Sequence, residues 1–477
     1  MTRLAFHPDD PKSSMPRSSE PHAAIERSAR PSPDELYAAF HARTDAAFAQ
    51  YPELEPLRRF VFRGLLLQRR AEGVKDRVKH WLRPLVRRAH TRLPQRHADV
   101  LIWLESEREV VVDALLPVYR ELVARGVGVE LVADEAPHLP VPARTFKFPA
   151  RALAPAWASP AWEALCECED GLRERSLRQS FHHACAMLQG LYDELHRLLE
   201  ATATKIVLCA SNQGVGGAAL MVVSRLQGVT SLLLQHGLLG PNYIPVLADL
   251  MLIWGPSSER TMLSLGVPRA VLLTVGSPRH DSIKPAGTGH ARATLLQALG
   301  LAARPTFVFF SQGHNPVYVD AAVECAAWLD RTATRYANVA NVVVRLHPNE
   351  DGRLYRRCTH LKVIRREVEL STVLEGCDRI GSMSSSVLYD GLLFGKLPWQ
   401  LFADHWPLVA DNWRHGLALR VSSECHLGEM VRAMLPRAPA RGVDEELIAQ
   451  VFANRGRAAK AVADVVVSRL RSAAGEG

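Results

Sequence analysis

A chain of 477 residues is long enough for two or three domains with sizeable cores, and 47% hydrophobic with 23% charged residues excludes a disordered or fibrous protein. The 58 Lys and Arg against 50 Asp and Glu leave a formal charge of +8, which favours anionic partners such as sugar nucleotides, phospholipid surfaces or nucleic acid. The eight cysteines include no Cys-x-x-Cys pair, and this excludes a zinc module or disulfide framework and predicts a reducing, cytoplasmic setting.

Residues 1–32, rich in Pro, Ser, Arg and His, read as a disordered tail. Residues 33–97 read as a basic helical extension. Val74, Val78, Trp81, Leu82 and Leu85 fall on one helical face, with Lys75, Arg77, Lys79, Arg83, Arg87 and Arg88 around the rest, and Pro84 splits the segment. Residues 57–92 read equally as an element on an anionic membrane surface, peripheral at its inner face, and as a solvated basic face packed on the next domain. The first residues lack the apolar core of a secretory peptide, and no run of about 18 apolar residues would span a bilayer.

An N-terminal lobe is predicted over 98–284. Asp99–Trp103 and Val129–Ala133 read as strands flanking a helix from Val110 to Arg125, and the Pro-rich stretch 135–162 reads as a loop. A long helix is predicted over Leu172–Ala201, preceded by Glu169-Asp170-Gly171 as a helix-starting acidic pair. Ile206–Ala210 leads through Ser211-Asn-Gln-Gly214-Val-Gly216-Gly217 into a helix. The spacing fails Gly-x-Gly-x-x-Gly, so this is a tight strand-to-helix turn. Further strands begin at Thr230, Ala248 and Val271. Strands alternating with helices predict a parallel, doubly wound sheet.

Lys284–Gly289 reads as a hinge. A second lobe over 285–440 opens with the strand Thr306–Phe310, and a helix follows from Tyr318 to Tyr336. Helices are expected at 441–477. Two Rossmann-like α/β halves with a cleft between them are the predicted fold.

Candidate chemistry gathers at strand ends. His236, after the strand that starts at Thr230, suits a general base, with Gln235 and Gly237 on the acceptor side. His347-Pro348 ends a β-branched run and suits a donor to phosphate or to a leaving group. Ser384-Ser385-Ser386 opens a helix and reads as an anion cradle, joined by Gln312, Gly313 and His314 from the first loop of the second lobe. Asp390, on the same helix, suits ribose hydroxyls, and Arg279 with Asp281 reads as a structural ion pair. No Asp-x-Asp occurs, so no obligatory metal and no other cofactor is expected, and helix ends, histidines and serines would carry the phosphate charge.

Gln235-His236-Gly237, Trp254-Gly255, Gly276-Ser-Pro278-Arg279-His-Asp281, His347-Pro348, Ser384–Asp390 and Gly395-Lys-Leu-Pro398 occur in that order across about residues 205–400. This ordered set resembles GT-B glycosyltransferases of bacterial surface polysaccharide synthesis, nearest to teichoic-acid glycerophosphotransferases and capsule polysialyltransferases. The resemblance implies a GT-B-like fold and transfer of a sugar, or a glycerophosphate-like group, from a nucleotide-activated donor to a capsule or lipopolysaccharide acceptor. It gives His236 the role of base, and gives His347, Ser385 and Ser386 the nucleotide phosphates. Gly381-Ser-Met-Ser departs from the Asp-Tyr that precedes the serines in glycerophosphotransferases. The second reading is a UDP-sugar 2-epimerase-like isomerase, which shares the two-lobed architecture but needs carboxylates at strand ends, where few are visible. A third is a non-catalytic binding protein of a polysaccharide assembly complex. Nucleic acid is not an expected partner, because the basic segment lacks interleaved aromatics.

Overall fold

The computed structural model describes residues 33–68, 97–105, 109–133, 139–146, 153–173, 175–283, 288–312, 319–406, 411–435, 443–473 and 475. The tail, the basic stretch 69–96, the hinge positions 284–287 and the expected nucleotide-binding residues Gly313 and His314 lie outside them.

An amino-terminal arm is built from α1 (Pro33–Gln50), a 3-10 turn (Pro52–Leu57) and α2 (Arg58–Gln68). Its Tyr37, Phe40, Phe48, Leu54, Leu57, Val61 and Leu65 are buried in one cluster with Trp103, Cys209, Leu233 and Tyr243 of the first lobe. Each larger apolar side chain removed from water there contributes about 1.5–3 kcal/mol. Arg58 is 1% exposed, held by Glu55 at 2.6 Å and Asp45 at 3.1 Å, with its guanidinium 4.1 Å from the Phe48 ring centroid. The described part of the expected membrane-facing stretch 57–92 is therefore core packing. Its apolar face meets the first lobe and not lipid. Among the described residues no helix is long and apolar enough to cross a membrane.

The first lobe holds seven strands: β1 (Val100–Leu104), β2 (Val129–Ala133), β3 (Arg144–Thr145), β4 (Ile206–Cys209), β5 (Thr230–Leu234), β6 (Leu250–Ile253) and β7 (Leu272–Thr274). All pair in parallel, in the order β3-β2-β1-β4-β5-β6-β7. Val100-Leu-Ile-Trp-Leu is buried at every position, the unbroken apolar run that a sheet covered on both faces requires. The cover comes from α3 (Glu109–Ala124), α4 (Ala158–Cys168), α5 (Arg175–Thr202), α6 (Val215–Gln227) and α7 (Pro256–Ser264). On α5, Leu177, Phe181, Ala184, Leu188, Leu191, Leu195 and Leu198 recur at three- and four-residue spacing and bury one face of the helix.

Two expectations change here. The loop assigned to 135–162 contains β3 and the start of α4, because Pro160 sits in the helix's first turn, where a missing N–H breaks no bond. Glu169 both closes α4 and stands at the N-cap of a 3-10 turn, Asp170–Leu172, so the acidic pair opens that turn and not the long helix α5 directly. The Glu169 carboxylate meets Arg43 of α1 at 2.6 Å.

The second lobe runs through α8 (Thr288–Leu299), β8 (Thr306–Phe310), α9 (Val319–Tyr336), β9 (Asn341–Arg345), β10 (Lys362–Ile364), α10 (Leu370–Gly376), β11 (Arg379–Ser382), α11 (Val387–Leu393), β12 (Trp399–Leu401), β13 (Leu419–Val421) and α12 (Glu424–Ala433). Its six strands are also all parallel, in the order β10-β9-β8-β11-β12-β13.

The chain then returns. After α13 (Glu445–Val451), α14 (Ala458–Ala473) buries Val462, Ala463 and Val466 against Val118 and Leu122 of α3. Asp281 accepts the amides of Ala458 and Ala459 at 2.9 and 2.8 Å, so it caps α14 and does not pair with Arg279. The two lobes and α13 share a junction of Trp254, Leu392, Leu393, Leu417, Ile448, Val451 and Phe452.

Candidate active site

In each sheet the strand order reverses once, between β1 and β4 in the first lobe and between β8 and β11 in the second. Open parallel sheets bind ligands outside the C-terminal strand ends at such points.

In the first lobe Trp103, Cys209 and Leu233 lie abreast on β1, β4 and β5. Two residues further along, the same row presents Glu105, Ser211 and Gln235. The Glu105 carboxylate accepts the Gly217 amide at 3.2 Å, and the Ser211 hydroxyl and Gly214 amide also donate to it. A Cβ on Gly214 would lie 1.9 Å from Glu105 Oε1, and one on Gly217 would lie 2.1 Å from the Ser211 carbonyl oxygen. The glycines of this turn thus serve close approach, of a carboxylate in one case and of backbone in the other. Burial raises the Glu105 carboxyl above its ordinary range, outweighing the opposing pull of Gly217, Ser211, Gly214 and the Arg59 charge. Sequence reasoning missed Glu105; the available signal was an acidic residue immediately after an apolar strand.

His236 follows β5, and its Nδ1 meets the Ala210 carbonyl oxygen at the end of β4. A carbonyl only accepts, so Nδ1 carries the proton and the neutral ring's lone pair lies on Nε2, the tautomer of a base. The Tyr243 hydroxyl stands 3.5 Å from Nδ1, and burial pushes that phenol well up, keeping it neutral. Gln235 is 1% exposed and is occupied otherwise than expected. Its amide donates to Gly237 O at 2.9 Å and accepts Trp254 N at 2.8 Å, and its own carbonyl accepts Trp254 Nε1 at 2.8 Å. Gln235 therefore fastens the end of β5 to Trp254 at the end of β6, and Gly237 holds its side-chain amide.

In the second lobe Phe310, Arg345 and Ser382 lie abreast on β8, β9 and β11. Two residues on, the row presents Gln312, His347 and Ser384. Gln312 Oε1 accepts both the Ser384 amide at 2.9 Å and its hydroxyl at 2.7 Å, so Ser384, 8% exposed, spends its donors on the loop. Ser385 and Ser386 are half-buried, and among the described residues neither of their amides is hydrogen-bonded. His347 Nδ1 accepts the Asn349 amide at 3.1 Å, which leaves the neutral ring's proton on Nε2, the tautomer of a donor. Pro348 is exposed, and Glu350 N closes the turn on His347 O at 2.9 Å.

Asp390, expected to meet ribose, is 3% exposed and faces the first lobe. Arg279 Nη2 lies 2.8 Å from both of its oxygens and His280 Nε2 lies 2.8 Å from one. Burial alone would raise this carboxyl, but Arg279 and His280 overcome that and hold it below the ordinary value. His280 Nε2 donates to Asp390, and the Ser277 hydroxyl donates to Nδ1 at 2.7 Å. The 3.0 Å approach of Arg279 Nε to His280 Nε2 is then two donors side by side, not a hydrogen bond. This clasp takes the place of the expected Arg279–Asp281 pair. Among the described residues no group of three His, Cys, Asp or Glu side chains could hold a metal ion.

No protein-family model matches the chain, and no curated protein is similar to it. Solved structures do match. The UDP-GlcNAc 2-epimerase of Methanocaldococcus jannaschii, in complex with UDP-GlcNAc and UDP, is 12% identical, with 77% of this chain and 99% of that one covered and a TM-score of 0.51. A putative UDP-N-acetylglucosamine 2-epimerase from Listeria monocytogenes gives 12%, 79%, 97% and 0.51. The S. aureus protein MnaA, bound to UDP, gives 12%, 80%, 98% and 0.50. At this identity the likeness establishes a shared two-lobed α/β fold, as the sequence predicted. These matches overturn the expected glycosyltransferase of capsule or lipopolysaccharide synthesis: the M. jannaschii chain is named a UDP-GlcNAc 2-epimerase and the L. monocytogenes chain a putative one, which is the second reading of the sequence. None of the three comparisons supports the teichoic-acid or polysialyltransferase likeness.

Proposed function

We propose that the chain is an enzyme acting on a nucleotide sugar, and that its reaction is a UDP-sugar 2-epimerase-like isomerisation. The observation that carries this reading is the opposite tautomers of two strand-end histidines, a base at His236 in the first lobe and a donor at His347 in the second. Inverting C2 of a sugar removes a proton from carbon on one face and returns one on the other, so it requires proton acceptors and donors. In this reading the bond from the sugar's C1 to the diphosphate oxygen breaks as the C2 proton leaves and re-forms when a proton returns, and the charge that develops on that oxygen in between requires fixed hydrogen-bond donors. In this reading His236 and Glu105 handle the proton, while His347, Ser385 and Ser386 receive the diphosphate. Glu105 also supplies a strand-end carboxylate, of which the sequence shows few. Support from the fold is that the M. jannaschii epimerase, which holds UDP-GlcNAc and UDP, has the same two-lobed architecture.

The test is UDP-GlcNAc in heavy water followed by proton NMR. Loss of the C2 proton signal and growth of a second epimer are expected; full retention of that proton with no UDP released overturns the reading. His236→Ala should lower turnover by about 100-fold or more. No obligatory metal is assigned, so a chelator should leave turnover unchanged.

A further inference from the structure

The amino-terminal arm does more than cover the first lobe. Between β5 and β6 the chain makes a 3-10 turn, Pro241–Tyr243, and runs on through Ile244, Pro245 and Leu247 outside the sheet. Backbone carbonyls without a strand partner need other donors. Here three elements supply them: the Tyr37 hydroxyl of α1 donates to Ile244 O, Asn212 Nδ2 from the turn after β4 to Pro245 O, and Arg225 Nη2 of α6 to Leu247 O, each at 3.0 Å. Tyr37 is buried and packs edge-on against Phe62 of α2, with ring centroids 5.1 Å apart. The turn so held carries Tyr243, also buried, into the site. Its oxygen lies 3.5 Å from His236 Nδ1 and 3.8 Å from where a Cβ on Gly237 would stand. Nδ1 bears the proton that goes to Ala210 O, so toward Nδ1 the Tyr243 oxygen can only accept. A contact of 3.5 Å is loose for a hydrogen bond, as catalytic contacts often are before a substrate tightens them. A second acceptor on that edge of the ring favours the tautomer whose lone pair lies on Nε2.

We propose that Tyr243 is a positioning residue for His236, fixing its proton on Nδ1, and that Tyr37 of the arm holds Tyr243 there through Ile244. The contacts form one chain: Tyr37 Oη to Ile244 O, one peptide unit back to Tyr243, and Tyr243 Oη to His236 Nδ1. The kinetic consequence rests on the isomerase reading, in which His236 is the base; the structural consequence does not.

The test uses full-length protein with nitrogen-15 in its histidine rings, the His236 signals being assigned by their loss in His236→Ala. At a pH where the ring is neutral, wild type should show a protonated Nδ1 and a bare Nε2. Tyr243→Phe keeps the ring and removes the oxygen. It should move a measurable share of His236 to the other tautomer and lower kcat by about three- to tenfold, the worth of one hydrogen bond, with KM little changed. Tyr37→Phe should act in the same direction and less, since Asn212 and Arg225 still hold the turn. Added to Tyr243→Phe it should lower kcat no further, because the contact it supports is already gone. Thermal unfolding of each variant shows that the fold is kept. A wild-type tautomer in folded Tyr243→Phe overturns the inference, as do effects of the two substitutions that simply add. If wild-type protein turns over no UDP-sugar while the tautomer still shifts, the function reading fails and the positioning stands.

Discussion

Asp390 shows how one side chain can join two lobes. It is a buried carboxylate whose partners, Arg279 and His280, come from the other lobe, and removing one partner of such a pair leaves a charge uncompensated. Asp390→Asn should therefore cost about 3 kcal/mol, read as a fall in the urea midpoint. Acid should act in two windows. Burial depresses the His280 imidazole against the upward pull of Asp390, so the unfolded chain takes up that proton more readily and stability falls as pH drops below about 6.5. Asp390 is also depressed, so its contribution is fully present above about pH 3.9 and is lost only as pH falls through its lower folded value. Urea midpoints measured from pH 8 to 3 should show the first loss before the second. A profile flat from pH 8 to 4 would contradict the placement of His280.

At the scale of elements, the turn Ser211–Gly217 is held open for Glu105, and its glycines are the part most exposed to change. Gly214→Ala puts a methyl group into that carboxylate and should cost about 1–3 kcal/mol, with turnover falling alongside. An alanine variant with wild-type midpoint and turnover would mean that Glu105 has room to move. Much of the architecture was legible because buried parallel strands announce themselves: β1, β2, β4 and β8 are four or five residues long and nearly wholly apolar. Short β10 and β13, each with an exposed first residue, leave no such run. The site was legible only in part. His236 and His347 stand at strand ends visible in the sequence, but Glu105 acquires its role only because β4 lies next to β1, and Ser211 is 106 residues away from it. Gln235 was misread for the same reason, since its partner Trp254 lies 19 residues on. Asp390 was misread because its partners belong to the other lobe.

For the whole molecule, the carboxy-terminal helices matter to the lobe at the opposite end of the chain. Val462, Ala463 and Val466 of α14 close the outer face of the first lobe, and together they contribute on the order of 5 kcal/mol, a large fraction of a domain's 5–15 kcal/mol. Deleting residues 444–477 should strip amide-exchange protection from β1–β7 while leaving β8–β13 protected. Equal loss in both sheets would show that the lobes fold as one unit. Gly276, at φ +91° with a hypothetical Cβ 2.2 Å from Ala453 O, marks where the returning chain presses against the first lobe.

That return has a mechanical meaning. A body tied to another by one thread is free to tumble in any direction, whereas here the backbone passes outward after β7 and home again before α14. Two moorings remove most of those freedoms and leave rotation about the line between them as the easy motion. Any opening of the gap to admit a ligand would then resemble a door on two pins, and the Arg279–Asp390 contact is a latch whose release such a swing would have to include.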